Sequence, residues 1–183
     1  QLRTLVVVPM LLTGEDEVEA QMNGLEVHYL GNREGDVRFA LLSDWPDSAV
    51  EQSVADDEIL AFARAEIARL NLRYAAEGAP RFYLLHRRRL YNAAQKCWMG
   101  WERKRGKLHE LNLLLRGDED TTFLPPEAPQ PGGVVHVMTL DADTRMMRDV
   151  ESDELKIVGV NCVRGTAESP LTAGSDAGIM RVD

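Results

Sequence analysis

Val134-Val135-His136-Val137-Met138-Thr139-Leu140-Asp141-Ala142-Asp143-Thr144-Arg145 is a short apolar run that ends abruptly in two carboxylates one residue apart. The run is rich in β-branched residues and follows Pro131-Gly132-Gly133, so it reads as a buried strand that stops at Asp141. In open α/β sheets ligands gather beyond the carboxyl ends of parallel strands, and two oxygens from alternating residues can share one hard cation there. Asp-x-Asp at such a strand end suggests a metal ion holding a diphosphate. The competing reading is a solvated turn whose Asp caps a following helix.

Working back from that strand, the chain alternates between short apolar runs and helical stripes. Leu5-Val6-Val7-Val8 is a buried strand, and Pro9 with Met10 is expected to end its ladder by removing a donor. Thr13 can cap a helix with an acidic first turn, Glu15-Asp16-Glu17, and with Val18, Met22, Leu25 and Tyr29 on one face. Val37 to Leu42 is a second strand, delivering Ser43-Asp44-Trp45-Pro46-Asp47 at its carboxyl end. Asp56 and Asp57 open a helix striped by Ile59, Ala63, Ile67, Leu70 and Tyr74. Phe82-Tyr83-Leu84-Leu85 is a third strand, running into His86-Arg87-Arg88-Arg89. The order β-α-β-α-β implies a mainly parallel sheet between two helical layers, a three-layer α/β sandwich.

A basic cluster comes next. Arg103, Lys104, Arg105 and Lys107 surround Gly106 near the start of a helix carrying Leu108, Leu111 and Leu115, with Trp98 and Trp101 just ahead of it. Cations and backbone donors at a helix start can hold an anion, and the two tryptophans favour that reading over a merely solvated basic face. Asp118 to Gly133 is a long acidic, proline-containing loop.

Composition limits the function. A net charge of -9 argues against broad electrostatic binding to nucleic acid or to anionic membranes. Cys97 and Cys162 show no redox or metal-ligand spacing, which fits a reduced, cytosolic setting. His28, His86, His109 and His136 likewise lack metal spacing and read as structural, since His109-Glu110 has no second histidine behind it. No apolar run approaches the length of a membrane span, so the chain is expected to be soluble.

Five blocks in order resemble the glycosyltransferase region of cyclic β-1,2-glucan synthases. They are Val7-Val8-Pro9-Met10-Leu11-Leu12, the run from Phe39 to Asp47, the run from Tyr83 to Asn92, the run from Gly100 to Asn112, and the run from Thr139 to Arg145. The resemblance covers about residues 3–145. It implies the nucleotide-binding half of a GT-A type domain over residues 1–148, the donor-binding part of a processive inverting glucosyltransferase. The substrates it implies are UDP-glucose and a glucan acceptor, with the parent protein on the cytoplasmic side of the bacterial inner membrane. Pro9 and Met10 would line the nucleotide cleft, Asp44 would lie near uracil and ribose, and Arg105 and Lys107 would approach the diphosphate. Asp141 and Asp143 would face Mg²⁺ or Mn²⁺ and the sugar nucleotide, with Asp143 the better direct ligand. On the residues alone, Asp44 can instead cap the turn at Pro46, and Lys107 can be a solvated helix residue.

The family continues beyond Arg145 with an acceptor-binding half that holds the catalytic base, and this chain departs from that pattern. Residues 149–183 form a tail of different character. Its stretches from Glu151 to Asn161 and from Ser169 to Asp183 resemble the end of the substrate domain of methylmalonyl-type acyl-CoA mutases. No cobalamin role carries over from so short a piece. The expectation is donor binding without complete catalysis, and the alternatives are a non-catalytic nucleotide-sugar module or an inactive fragment.

Overall fold

A computed structural model describes residues 2–33, 35–74, 80–125 and 130–141, together with the backbone of 177–181. Asp143 and residues 142–176 lie outside the described residues, and with them most of the tail.

The chain runs β1 (Arg3–Leu11), α1 (Glu15–Gly31), β2 (Val37–Asp44), α2 (Val54–Arg73), β3 (Phe82–His86), β4 (Leu90–Asn92), β5 (Cys97–Met99), α3 (Arg103–Leu115), β6 (Val134–Leu140) and β7 (Ala177–Arg181). The main sheet has the order β3-β2-β1-β6-β7. Its first four strands are mutually parallel, and β7 closes one edge antiparallel to β6. The four strands expected around Leu5, Phe39, Phe82 and Val137 therefore share one mainly parallel sheet. Sequence reading did not find β7 or the small antiparallel β4–β5 hairpin.

Helices cover both faces, which is why the strands read as continuous apolar runs rather than alternating ones. On one side Val6, Val8, Phe39, Leu41 and Phe82 pack against Val18, Met22 and Leu25 of α1 and Leu60, Ala63, Ile67 and Leu70 of α2. On the other, Leu5, Val7, Ala40, Leu42, Leu85 and Val137 meet Leu111 and Leu114 of α3. The period-two alternation of strand side chains thus sorts one apolar run into two cores. Phe39 and Phe82 are fully buried and stack at 6.0 Å between ring centroids. Truncating either to alanine is expected to cost about 3–5 kcal/mol.

Local corrections follow from backbone hydrogen bonding. Gly14, not Thr13, holds the N-cap position of α1, and no side chain caps it. In α2 Ser53 is the N-cap, and Asp56 sits at the third helical position and returns a bond to the Ser53 amide, completing a capping box. That helix starts ahead of the Asp56-Asp57 pair. Pro9 does not end β1, which continues to Leu11 with Leu12 still donating to the Asp44 carbonyl at 2.9 Å.

Candidate active site at the carboxyl edge of the sheet

β2 and β3 lie on one side of β1 and β6 on the other, so the chain connections diverge at the carboxyl ends of β1 and β6. That divergence opens a crevice. Pro9 stands at it for a definable reason. The amides of Thr4 and Leu12 face β2, donating to the carbonyls of Asp36 and Asp44, so by alternation the nitrogen of Pro9 faces β6. Pairing between β1 and β6 stops at Val7 and Thr139, and the donor missing at Pro9 interrupts no ladder bond.

Asp141 follows the last residue of β6 at the same edge, and its partly exposed carboxylate pairs with the ammonium of Lys104 in the first turn of α3. Lys107, one turn later on the same helix, is 3% exposed. It donates to the Met10 carbonyl at 2.7 Å and lies 3.3 Å from the Asp44 carboxylate. Burial pushes the Lys107 ammonium below the ordinary lysine range, and Asp44 pulls it back up. The alternative of a solvated helix residue is therefore excluded for Lys107. α3 is tied to the end of β1 through one lysine and to the end of β6 through the other.

Asp44 is 2% exposed and belongs to a buried charge network. The guanidinium of Arg87, fully buried, forks onto both Asp44 oxygens at 2.7 and 2.9 Å and donates to Glu110 at 3.0 Å. The Nη2 that donates to Asp44 also reaches the carbonyls of Trp101 and Arg103 at 3.1 and 3.2 Å. The second Glu110 oxygen accepts from the amide and hydroxyl of Thr122 at 2.7 and 2.6 Å. Two cations offset two carboxylates, and the charged atoms have hydrogen-bonding partners, the condition under which buried charge is tolerated. The Asp44 carboxylate does not cap the turn at Pro46. Its oxygens are held by Arg87 and Lys107.

The four-cation cluster separates in three dimensions. Arg103 pairs with Asp47, Lys104 with Asp141, Arg105 with Glu102, and Lys107 with Asp44. Helical spacing explains the split: Lys104 and Lys107 are three apart and share a face toward the strand ends, whereas the Arg105 side chain is 65% exposed and, among the described residues, bonds to its neighbour Glu102. Gly106 answers to packing. A Cβ there would lie 2.1 Å from the Trp101 carbonyl, so only glycine lets the preceding turn fold down on the helix.

His86 and Arg89 of the same basic run are held by contacts within the fold. His86 exchanges a 2.8 Å hydrogen bond with the Ser43 hydroxyl and packs edge-on against Trp45. Burial, followed by the nearby Lys107 charge, lowers its pKa to about 3, so the ring is neutral. Arg89 donates to Asp56 at 2.7 Å and to the Pro46 carbonyl at 2.8 Å, tying the loop after β2 to the start of α2. Among the described residues no group of three or more His, Cys, Asp or Glu side chains is placed to hold a metal ion.

No known protein-family profile matches the chain. Over 157 residues, 86% of the chain, it is 60% identical to the cyclic beta-(1,2)-glucan synthase NdvB of Rhizobium meliloti (strain 1021). The chain is related to the cyclic β-(1,2)-glucan synthases. It spans about 5% of the length of that relative. Among the described residues no helix is long and apolar enough to cross a membrane. Within this glucan-synthase-related segment, sequence reading missed Arg87 and Glu110, and placed Lys104 in the basic cluster without separating it from Arg103 and Arg105. The signal for Lys104 was available in its three-residue spacing from Lys107. Nothing in the sequence distinguished Arg87 from its neighbours Arg88 and Arg89.

Proposed function

We propose that this chain is the donor-binding part of a glucosyltransferase that uses UDP-glucose to extend a β-1,2-glucan. The observation that carries the reading is the Lys104–Asp141 pair at the topological crevice between β1 and β6. A partly exposed ammonium and carboxylate, each held on a rigid element, form a site where a diphosphate can displace one partner and recruit the other. The relationship to a glucan synthase supplies the substrate class.

A diphosphate entering there would compete with Asp141 for the Lys104 ammonium and free that carboxylate. Asp141 and Asp143 would hold a hard ion, Mg²⁺ or Mn²⁺, whose preference for oxygen donors fits carboxylates. When bound, such an ion offsets negative charge on the UDP leaving group. Pro9 and Met10 form the β1 wall. Lys107 holds the Met10 carbonyl in place and adds positive potential behind it. Arg105 lies outside this arrangement and serves the helix surface.

Calorimetry with UDP-glucose, with Mn²⁺ and with a chelator, tests the proposal. Binding is expected to be strongly metal-dependent, because a diphosphate beside carboxylates is repelled unless a cation lies between them. Asp141→Asn is expected to lose much of the metal-dependent increment while leaving metal-free binding unchanged or slightly better. Equal affinity in the parent with and without metal would remove the metal from this account. Turnover with a β-1,2-glucan acceptor separates a transferase from a non-catalytic nucleotide-sugar module.

A further inference from the structure

Three non-glycine residues have positive φ among the described residues: Lys96 at 53°, Glu102 at 52° and Arg103 at 49°. Glu102 and Arg103 border one cleft, of about 520 Å³, between the β4–β5 hairpin and the turn entering α3, and Lys96 follows Gln95, which also lines it. Left-handed backbone at such residues costs free energy and gathers where a structure holds a binding surface in shape. Tyr91 and Trp101 stand open at this cleft, 56% and 44% exposed, with Asn92, Gln95, Glu102 and Arg103 around them.

We infer that this cleft binds a glucose unit of the glucan acceptor. A β-glucopyranose ring offers an apolar face of C–H bonds and a rim of hydroxyl groups. The cleft offers aromatic rings for the face and amide, carboxylate and guanidinium groups for the rim. Its charges are each offset by a partner, Glu102 by Arg105 and Arg103 by Asp47, which suits a neutral polyhydroxylated ligand better than a phosphate or a nucleic acid. The rings are also held on a fixed frame. Trp98, cross-strand partner of Tyr91, exchanges backbone hydrogen bonds of 2.8 and 2.9 Å with Ser48, and the Trp101 carbonyl is bound by Arg87 at 3.1 Å and seated over Gly106. Arg103, which lines the cleft, precedes the Lys104 that meets Asp141. The inference rests on the reading of function above, in which the chain meets a glucan acceptor.

The test is tryptophan fluorescence and calorimetry on the full chain with sophorose and longer β-1,2-linked glucose oligosaccharides, at concentrations up to roughly ten-millimolar. Saturable binding is expected, weakened about tenfold in both Trp101→Ala and Tyr91→Ala. UDP-glucose affinity in Mn²⁺ should change less than about twofold in the same variants. Tyr91 lies on the exposed hairpin, so its variant keeps the test decisive should Trp101→Ala disturb the helix start. Oligosaccharide binding that both variants leave intact overturns the inference. So does absence of oligosaccharide binding in a parent that binds UDP-glucose, an outcome that leaves the donor reading standing. Failure of both ligands removes both readings.

Discussion

Two ion-pair systems lie along the same sheet edge, and they differ in almost every physical respect. The Asp44–Arg87–Glu110–Lys107 network is buried, with side-chain exposures between 0% and 7%. Lys104–Asp141 has exposures of 48% and 27%. In the first, a carboxylate deprived of its partner has no water to turn to, so the network fixes strand ends and the helix start in one arrangement. In the second, solvent already competes for both charges, and a ligand can separate them at little cost. Rigid support and exchangeable contact are thus supplied by charged residues one helical turn apart.

The largest effect should come from Arg87. Arg87→Met leaves Asp44 and Glu110 buried without their shared partner, and chemical denaturation is expected to show a loss of about 3–5 kcal/mol. Asp44→Asn sharpens the contrast from the other side. We expect lost stability to accompany any lost UDP affinity. A variant as stable as the parent that no longer binds UDP would make Asp44 a direct donor contact after all.

Gly106→Ala comes next. Its methyl group meets the Trp101 carbonyl, and overpacking of this kind is expected to cost about 2 kcal/mol, measured by the same denaturation.

The pH dependence of the buried side is set in part by His86. Its folded pKa of about 3 lies below the ordinary value of 6.5, so between these limits the unfolded chain binds a proton that the folded chain refuses. The stability contributed by this group is therefore complete above about 6.5 and falls as pH drops toward 3, by up to about 1.4 kcal/mol for each pH unit. Denaturation midpoints across that range should flatten in His86→Gln. An unchanged slope would assign the acid sensitivity to other groups.

The smallest stability change is expected at the exposed pair. Lys104→Ala and Asp141→Asn should each shift stability by less than about 1 kcal/mol, yet each should weaken UDP-glucose binding in Mn²⁺. A stability loss there as large as that of Arg87→Met would erase the distinction between the two systems.

Much of the architecture was legible before any coordinates. Leu5–Val8, Val37–Leu42, Phe82–Leu85 and Val134–Leu140 announce buried strands because a parallel sheet covered on both faces favours apolar residues on both sides of each strand. The helix stripes between them announce crossovers. The capping box of Ser53 and Asp56 was also present in the sequence, as was the spacing that places Lys104 beside Lys107. The β4–β5 hairpin was not legible, since two strands of three residues leave too little alternation to count.

By itself the sequence determined the layers, the parallel sheet and the relationship to glucan synthases, because these depend on periodicity and on ordered blocks along the chain. Only the tertiary structure decided which charges work together. Arg87, Arg88 and Arg89 are identical as letters, and Lys107 looks no different from Arg105. What separates them is burial, which follows from where β3 ends and how α3 is turned, and electrostatic roles depend on distance and solvent access rather than on order in the chain.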